Sequence, residues 1–249
     1  MTDAAPAAPE AASSPAPAIG AVEAVVGIFT KPSATFGRLV QRPTWWLPLL
    51  LWAVVGIGSS ALVSPKLDWE GAAQDVIAQR ASSGRPIPAS AAPRIVSMMK
   101  TTTMIAGPLL VVLTPFLVAL LFWGGSKSFG GESGFSSLMA IVCHANLANV
   151  VGGLIGLPIF LSKEDGSVNL QRIWDVVSSS LASALPENAG HALVAFASSI
   201  ELFMLAAMTL AVIGMRRVPG LPKYAAVVVP VLVWAIFTGI KVAGAAMRG

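Results

Sequence analysis

The amino-acid sequence predicts an all-α integral membrane protein with five transmembrane helices and two interfacial amphipathic helices. Hydrophobic residues make up 55% of the 249 positions and charged residues only 11%, whereas soluble domains carry about 25% charged residues. The mean hydropathy is +0.75, and the apolar residues are gathered into five long runs that hold almost none of the charges. These values argue against a soluble enzyme and exclude a disordered chain.

The five runs are each long enough to cross a bilayer. A helix rises about 1.5 Å per residue and the hydrocarbon core is about 30 Å thick, so a span needs about 20 residues. Glu201 and Lys241 are the only fixed charges within the runs, as expected because lipid solvates neither charges nor unpaired backbone groups. The predicted spans, which together form a membrane domain at 45–246, are residues 45–63, 104–123, 138–161, 192–214 and 224–246.

Residues 1–19 and 20–44 precede the first span and differ in character. The first stretch is mostly Ala, Pro and Ser, which predicts a disordered tail. It has neither the basic start nor the apolar core of a signal peptide, so we expect the first span to direct insertion. Residues 20–44 predict an interfacial segment, because one helix face carries Val22, Val25, Val26 and Phe29. The alternative for this segment is a cytosolic helix that packs on protein.

A second interfacial helix is predicted between the third and fourth spans. It rests on apolar residues at helical spacing, namely Leu170, Ile173, Trp174, Val177 and Leu181. Orientation is inferred from the positive-inside rule. Basic residues are denser in the connections that face the cytosol when the N-terminus is cytosolic. We therefore expect a cytoplasmic N-terminus.

Few residues are available for catalysis or for binding metals. The single cysteine excludes an internal disulfide and a cysteine-built zinc site, and there are only two histidines. We therefore expect no catalytic constellation, no metal and no cofactor. The net charge of +4 is explained by membrane topology, so no nucleic-acid partner is expected.

Glu201 is the most informative polar residue, because it lies well inside the fourth predicted span. A charge at that depth should face protein and be paired or protonated. Asn149 on the third span lies at nearly the same depth, and His144 lies closer to the inner surface. The sequence thus predicts an intramembrane polar cluster of these three residues. It could relay protons or a small solute, or it could be an interhelical hydrogen bond that fixes helix register.

Two further features of the spans leave alternatives open. Gly152 and Gly156 form a small-residue motif that lets another helix approach closely, either within the chain or in a dimer. Lys241 lies near the outer end of the last span. Its ammonium is expected to reach the membrane surface, and the alternative is a buried pair with Glu201.

Three stretches resemble bacterial members of the Yip family. They are "GIFTKPSATFGRLVQRPTWWLPLL", "GGSKSFGGESGFSSLMAIVCHANLANVVG" and "ELFMLAAMTLAVIGMRRVPGLPKYAAVVV". The resemblance implies a five-helix membrane domain with a cytosolic N-terminus in a bacterial cytoplasmic membrane. Eukaryotic members bind Rab-type GTPases and carry an Asp-Leu-Tyr-Gly-Pro motif. This sequence lacks that motif, so GTPase binding is not carried over.

The sequence therefore predicts a non-enzymatic multi-pass membrane protein that organises membranes or serves as a partner-binding scaffold. Its expected partners are the lipid bilayer and either other membrane proteins or a second copy of itself. The alternative function is a small transporter or channel that uses the polar cluster of Glu201, Asn149 and His144.

Overall fold

The computed structural model describes residues 18–170, 173, 176–177, 179–186 and 188–247. These residues form α-helices and short 3-10 turns, and among them only two isolated β-bridges occur, with no strand. The α-helices of this part of the chain are α1 (Ala21–Thr30), α2 (Pro32–Gln41), α3 (Trp46–Val63), α4 (Trp69–Ser82), α5 (Ala92–Ser128), α6 (Phe135–Ala145), α7 (Leu147–Leu161), α8 (His191–Ala197), α9 (Leu202–Met215) and α10 (Ala225–Ala246).

Four helical stretches in the described residues are long and apolar enough to cross a membrane. They are Trp46–Lys66, Ala89–Ser128, Phe135–Leu161 and Ala225–Ala246. They correspond to the first, second, third and fifth predicted spans. A long apolar run favours a helix as the spanning structure, because a helix satisfies its own backbone groups.

The stretch Phe135–Leu161, made of α6 and α7, forms the centre of the bundle. In its most apolar window 61% of the residues are buried within the protein, compared with 11% for Trp46–Lys66. The core is built around α6, whose residues from Ser137 to Ala145 are all buried. The outer helices instead expose large apolar side chains, as expected for a surface that faces lipid.

The fourth span, predicted as one helix at 192–214, is not continuous in the structure. That prediction was wrong in this respect: α8 has 7 residues and α9 has 14, and the chain between them is not helical. The break falls at residues 198–201, inside the apolar run. Hydropathy alone could not locate it, because the break depends on local side-chain bonds and on a distant segment, both described below.

The segment before the first span forms two helices that pack on the bundle. Lys31 breaks the helical path between α1 and α2, and Pro32 starts α2. The face of α1 that packs inward carries Ala24 and Ile28, whereas Val22, Val26 and Phe29 are exposed. The predicted apolar face is therefore the outer face of α1.

Two other predicted segments lie partly outside the described residues. Most of the predicted tail lies outside them, but its last residue, Ile19, is only 5% exposed and belongs to the core. The second interfacial helix is predicted at 170–181, of which residues 171, 172, 174, 175 and 178 lie outside the described set; the described residues of this range are not α-helical. Of its apolar positions, Leu181 opens a short 3-10 helix, Leu181–Ala184.

A contact between two connections closes the end of the bundle that carries α1 and α2. The backbone N–H of Glu132 donates to the carbonyl of Pro219 at 2.9 Å. Gly130 and Gly220 have φ values of 86° and 72°, which side chains rarely allow. A Cβ atom on Gly220 would also lie 2.5 Å from the carbonyl oxygen of Gly130. Glycine is therefore required where these two connections meet.

Candidate functional site: a polar cavity at a helix break

The break between α8 and α9 begins with two adjacent serines. The hydroxyls of Ser198 and Ser199 donate to the carbonyl of Ala195 at 3.0 and 2.9 Å. Such bonds compete with helical hydrogen bonding and favour a helix end. The side chains thus satisfy a carbonyl that would otherwise be left without a partner in an apolar environment.

The backbone beyond the serines is extended and pairs with a distant segment. Glu201 has φ −131° and ψ 145° and forms an isolated antiparallel bridge with Ser180. The N–H of Leu181 donates to the carbonyl of Ile200 at 3.0 Å, and the N–H of Leu202 donates to the carbonyl of Ser179 at 3.1 Å. This pairing satisfies the backbone groups that the break removes from the helix.

Glu201 ends the break by capping α9. Its Oε2 atom accepts a hydrogen bond from the backbone N–H of Met204 at 2.9 Å. The first N–H groups of a helix lack intrahelical partners and carry partial positive charge, so a carboxylate is favoured there. Helix α9 therefore supplies part of the stabilisation that the Glu201 charge needs within this apolar stretch.

Lys241, on α10, also contacts this break. Its Nζ atom donates to the hydroxyl of Ser198 at 2.7 Å and lies 3.4 Å from that of Ser199. In the structure this ammonium, which is expected from the sequence to reach the membrane surface, contacts the two serines of the break. The indole N–H of Trp234, also on α10, donates to the carbonyl of Ser199 at 3.1 Å. Two side chains of α10 thus hold the break in place.

A cavity of about 490 Å³ lies beside the break. Its wall combines apolar side chains with several hydroxyl groups, one amide and one carboxylate. Among the described residues that line it, Glu201 is the only charged one. The lining residues are Ser59, Ser60, Val63, Ser64, Leu67, Thr103, Asn149, Gly152, Gly153, Gly156, Leu157, Phe160, Ile173, Val177, Ser179, Glu201 and Phe203.

A smaller cavity of about 300 Å³ lies on the other side of Glu201. Lys241, Ser198 and Ser199 line it, together with residues of α10 such as Trp234. Glu201 lines both cavities. The Glu201 carboxylate therefore lies between the two cavities. It is the only charged group among the described lining residues of the larger cavity, whereas the Lys241 ammonium also lines the smaller one.

The structure brings two of the three predicted cluster residues to one cavity. Asn149 and Glu201 both line the larger cavity. The amide nitrogen of Asn149 donates to Oδ1 of Asn146 at 2.6 Å, within the junction of α6 and α7. His144 is fully buried and does not appear among the described lining residues; its Nδ1 atom lies 2.9 Å from the carbonyl of Ala140.

The two predicted packing glycines lie along the same cavity and contact side chains of this chain. A Cβ atom on Gly152 would lie 2.5 Å from Cδ2 of Phe203, and one on Gly156 would lie 3.1 Å from Cγ2 of Val177. Gly152 thus allows α7 to approach the first turn of α9 closely.

Sequence reasoning missed the two serines of the break, and it named Lys241 without predicting that the lysine binds them. The adjacent Ser198 and Ser199 shortly before Glu201 were the available signal, because serine hydroxyls bond back to the helix and favour its end. The partner segment at 179–181 had no such signal. The described residues contain no group of three or more His, Cys, Asp or Glu side chains placed to hold a metal ion.

The long apolar helices, the discontinuous helix and the enclosed polar groups together define a polytopic helical membrane protein. A model of the Yip1 domain matches residues 26–243. Because that match covers most of the sequence, the chain belongs to the Yip1-domain family, and the resemblance inferred from the three sequence stretches is confirmed.

One curated relative adds to this assignment. The chain is 23% identical over 228 residues to a protein named "Membrane protein YknW" of Bacillus subtilis strain 168. The alignment covers 88% of this chain and 92% of that relative. That name supports an integral membrane location and states no activity. The comparison with solved structures finds no match.

Proposed function

We propose that this Yip-family protein is a non-enzymatic scaffold that binds another membrane protein, with its N-terminus in the cytosol. The observation that carries the proposal is the length of α5. Its 37 residues correspond to about 55 Å of helix, whereas the hydrocarbon core is about 30 Å thick. The N-terminal part of α5 therefore extends well beyond the membrane.

This extension is paired with α4 as a helical hairpin. Asp68 caps α4 by accepting a bond from the N–H of Gly71 at 2.7 Å, and the indole of Trp69 donates to the carbonyl of Ser64 at 2.8 Å. The hairpin is thereby anchored to the end of the first span. Met98 on α5 is 63% exposed in this region. A rigid helical arm with exposed apolar residues offers a contact surface for a partner.

Site-specific crosslinking in the native membrane tests the scaffold proposal. A photoreactive residue at Met98 should yield one protein adduct of defined mass, and reciprocal purification should recover the same complex. A matched probe at Leu113, which is 49% exposed within the span, should label lipid without that adduct. Absence of an adduct at Met98, or the same adducts at both positions, would refute a partner-binding arm.

A second function is favoured by a separate observation, the discontinuous helix beside a polar cavity. In transporters, substrates and ions bind where helices are interrupted within the membrane. We propose passage of protons or a small solute past Glu201 as this second candidate.

Proton flux into liposomes containing the purified protein should exceed that of empty liposomes. Glu201→Gln should abolish the excess, whereas Glu132→Gln, at an exposed carboxylate in the connection between α5 and α6, should not. Wild-type flux at the empty-liposome level would rule this candidate out.

A further inference from the structure

We propose that the larger cavity binds a lipophilic organic monocation, with Glu201 as the counter-ion. The inference deepens the second candidate function, because it assigns a ligand class to the cavity that candidate uses. Its basis is the combination of size, charge and wall chemistry at one site. Binding of such a ligand does not require that the ligand be transported.

The size and wall of the cavity fit an organic molecule better than a bare ion. A volume of about 490 Å³ lies within the range of about 300–1,000 Å³ that is typical of small-molecule sites. Leu157, Val63 and Phe160 supply part of the apolar wall of the cavity. A ligand that filled this volume would therefore need a largely apolar body.

The charge of the cavity selects a cation. Glu201 is the only charged side chain among the described lining residues. One of its carboxylate oxygens, Oε2, accepts the Met204 N–H, so the carboxylate is oriented by the helix that it caps. In an environment of low dielectric constant, a fixed carboxylate attracts a monocation much more strongly than it would in water.

Other polar groups in the wall reinforce this preference. The hydroxyl oxygen of Ser59 is buried and has no hydrogen-bond partner in the described part of the chain. Its lone pairs, with the oxygens of Ser60 and Asn149, add negative potential to the cavity. The rings of Phe160 and Phe203 also line the cavity, and the faces of aromatic rings attract cations.

Lys241 is the positive charge that could oppose such binding. It lines the smaller cavity on the other side of Glu201, where its ammonium donates to Ser198. Lys241 is absent from the described lining of the larger cavity. Replacing it with a neutral donor should therefore leave the cavity intact and strengthen, not weaken, the binding of a cation.

Radiolabelled tetraphenylphosphonium tests the proposal, with tetraphenylborate as an anion of nearly the same shape. The full chain is reconstituted in nanodiscs of zwitterionic lipid, and empty nanodiscs give the background. We expect saturable binding of the phosphonium that the borate does not displace. Glu201→Gln, which retains an acceptor for the Met204 N–H, should weaken binding by at least about tenfold. Glu132→Gln should leave binding unchanged, and Lys241→Gln should tighten it.

The outcomes separate this inference from the transport proposal. Equal binding of the cation and the anion, or unchanged affinity in Glu201→Gln, would show only an apolar groove and would overturn the inference. The comparison of the two ions in the wild-type protein holds even if Glu201→Gln does not fold. Cation binding without proton flux keeps the inference and removes transport. Proton flux without cation binding removes the inference and keeps transport.

Discussion

Substitution of Gly152 by alanine tests how closely α7 packs against α9. An alanine Cβ atom would lie 2.5 Å from Cδ2 and 2.6 Å from Cγ of Phe203. Carbon atoms in contact normally lie about 3.5–4.0 Å apart, so the ring would have to retreat by about 1 Å. Overpacking of this kind costs about 1–3 kcal/mol. We therefore expect Gly152→Ala to lower the free energy of unfolding.

The matched control is Gly107→Ala on α5, where a Cβ atom would meet no atom within 4 Å. Both variants gain the same helix preference of alanine over glycine, about 0.5–1 kcal/mol. The difference between them therefore isolates the packing cost. For a chain of 249 residues, a change of 1 kcal/mol moves the melting temperature by about 2–4 °C. Gly152→Ala should thus melt about 2–12 °C below Gly107→Ala.

Thermal denaturation in one detergent, followed for wild type and both variants, measures this difference. Equal melting temperatures for the two variants would refute close packing of Gly152 on Phe203. If Gly152 instead belonged to a dimer interface, Gly152→Ala would change the dimer fraction in size-exclusion chromatography while the melting temperature of the monomer stayed at the control value. The experiment therefore also separates the two interpretations of the small-residue motif.

Three further predictions concern the ends of the bundle and the helix break. The Arg38 guanidinium, which donates to Glu23 at 2.6 Å, holds the pKa of that carboxyl below its ordinary value. Because the lowered pKa belongs to the folded protein, the contact stabilises α1 above the ordinary pKa and is lost as the pH falls through the lowered value. Hydrogen-exchange protection of α1 should therefore fall on acidification, and Arg38→Gln should reduce this pH dependence, leaving the smaller contribution of the Gly20 N–H to Glu23. Lys241→Met retains side-chain length but cannot donate to the break, so it should lower stability by about 0.6–2 kcal/mol in detergent melting; an unchanged melting temperature would contradict the bond to the serines. Finally, in a background without the native cysteine, a cysteine at the exposed residue Ala34 should be labelled from the cytosolic side and one at Ser83 from the opposite side. Labelling of both from one side would contradict the proposed orientation.

The sequence was sufficient to predict the long helices because their signal is local. Four apolar runs form helical stretches long enough to cross a membrane, since a helix satisfies its own backbone bonds. The helix break was not predictable by the same rule. It depends on hydroxyls that bond back to Ala195 and on backbone pairing with residues 179–181. The second of these is a tertiary interaction, and hydropathy carries no information about it.

The candidate site was harder to predict than the long helices, because it depends on which way each side chain faces. The depths of Asn149 and Glu201 along two helices predict that they lie in one region, and in the structure both line the larger cavity. His144 was included because of its position in the same span, but depth does not specify which way a side chain faces. It is buried in the core on α6 instead. The face of α1 could not be assigned either, because Ile28 and Val26 are equally apolar and only packing selects Ile28 for the interior.

The hydrogen bonds at the break help to explain why the charge of Glu201 is stable within an apolar stretch. The N–H of Met204 binds the Glu201 carboxylate, backbone groups on both sides of that residue pair with a second segment, and Lys241 binds the serines. The interrupted helix therefore satisfies its polar groups without any bond between Glu201 and Asn149. A role confined to fixing helix register would require such a bond, since register is fixed by contacts between the two helices. In the described part of the chain the N–H of Met204 on α9 orients the carboxylate, so the amide of Asn149 lines the cavity without being used in a hydrogen bond to Glu201.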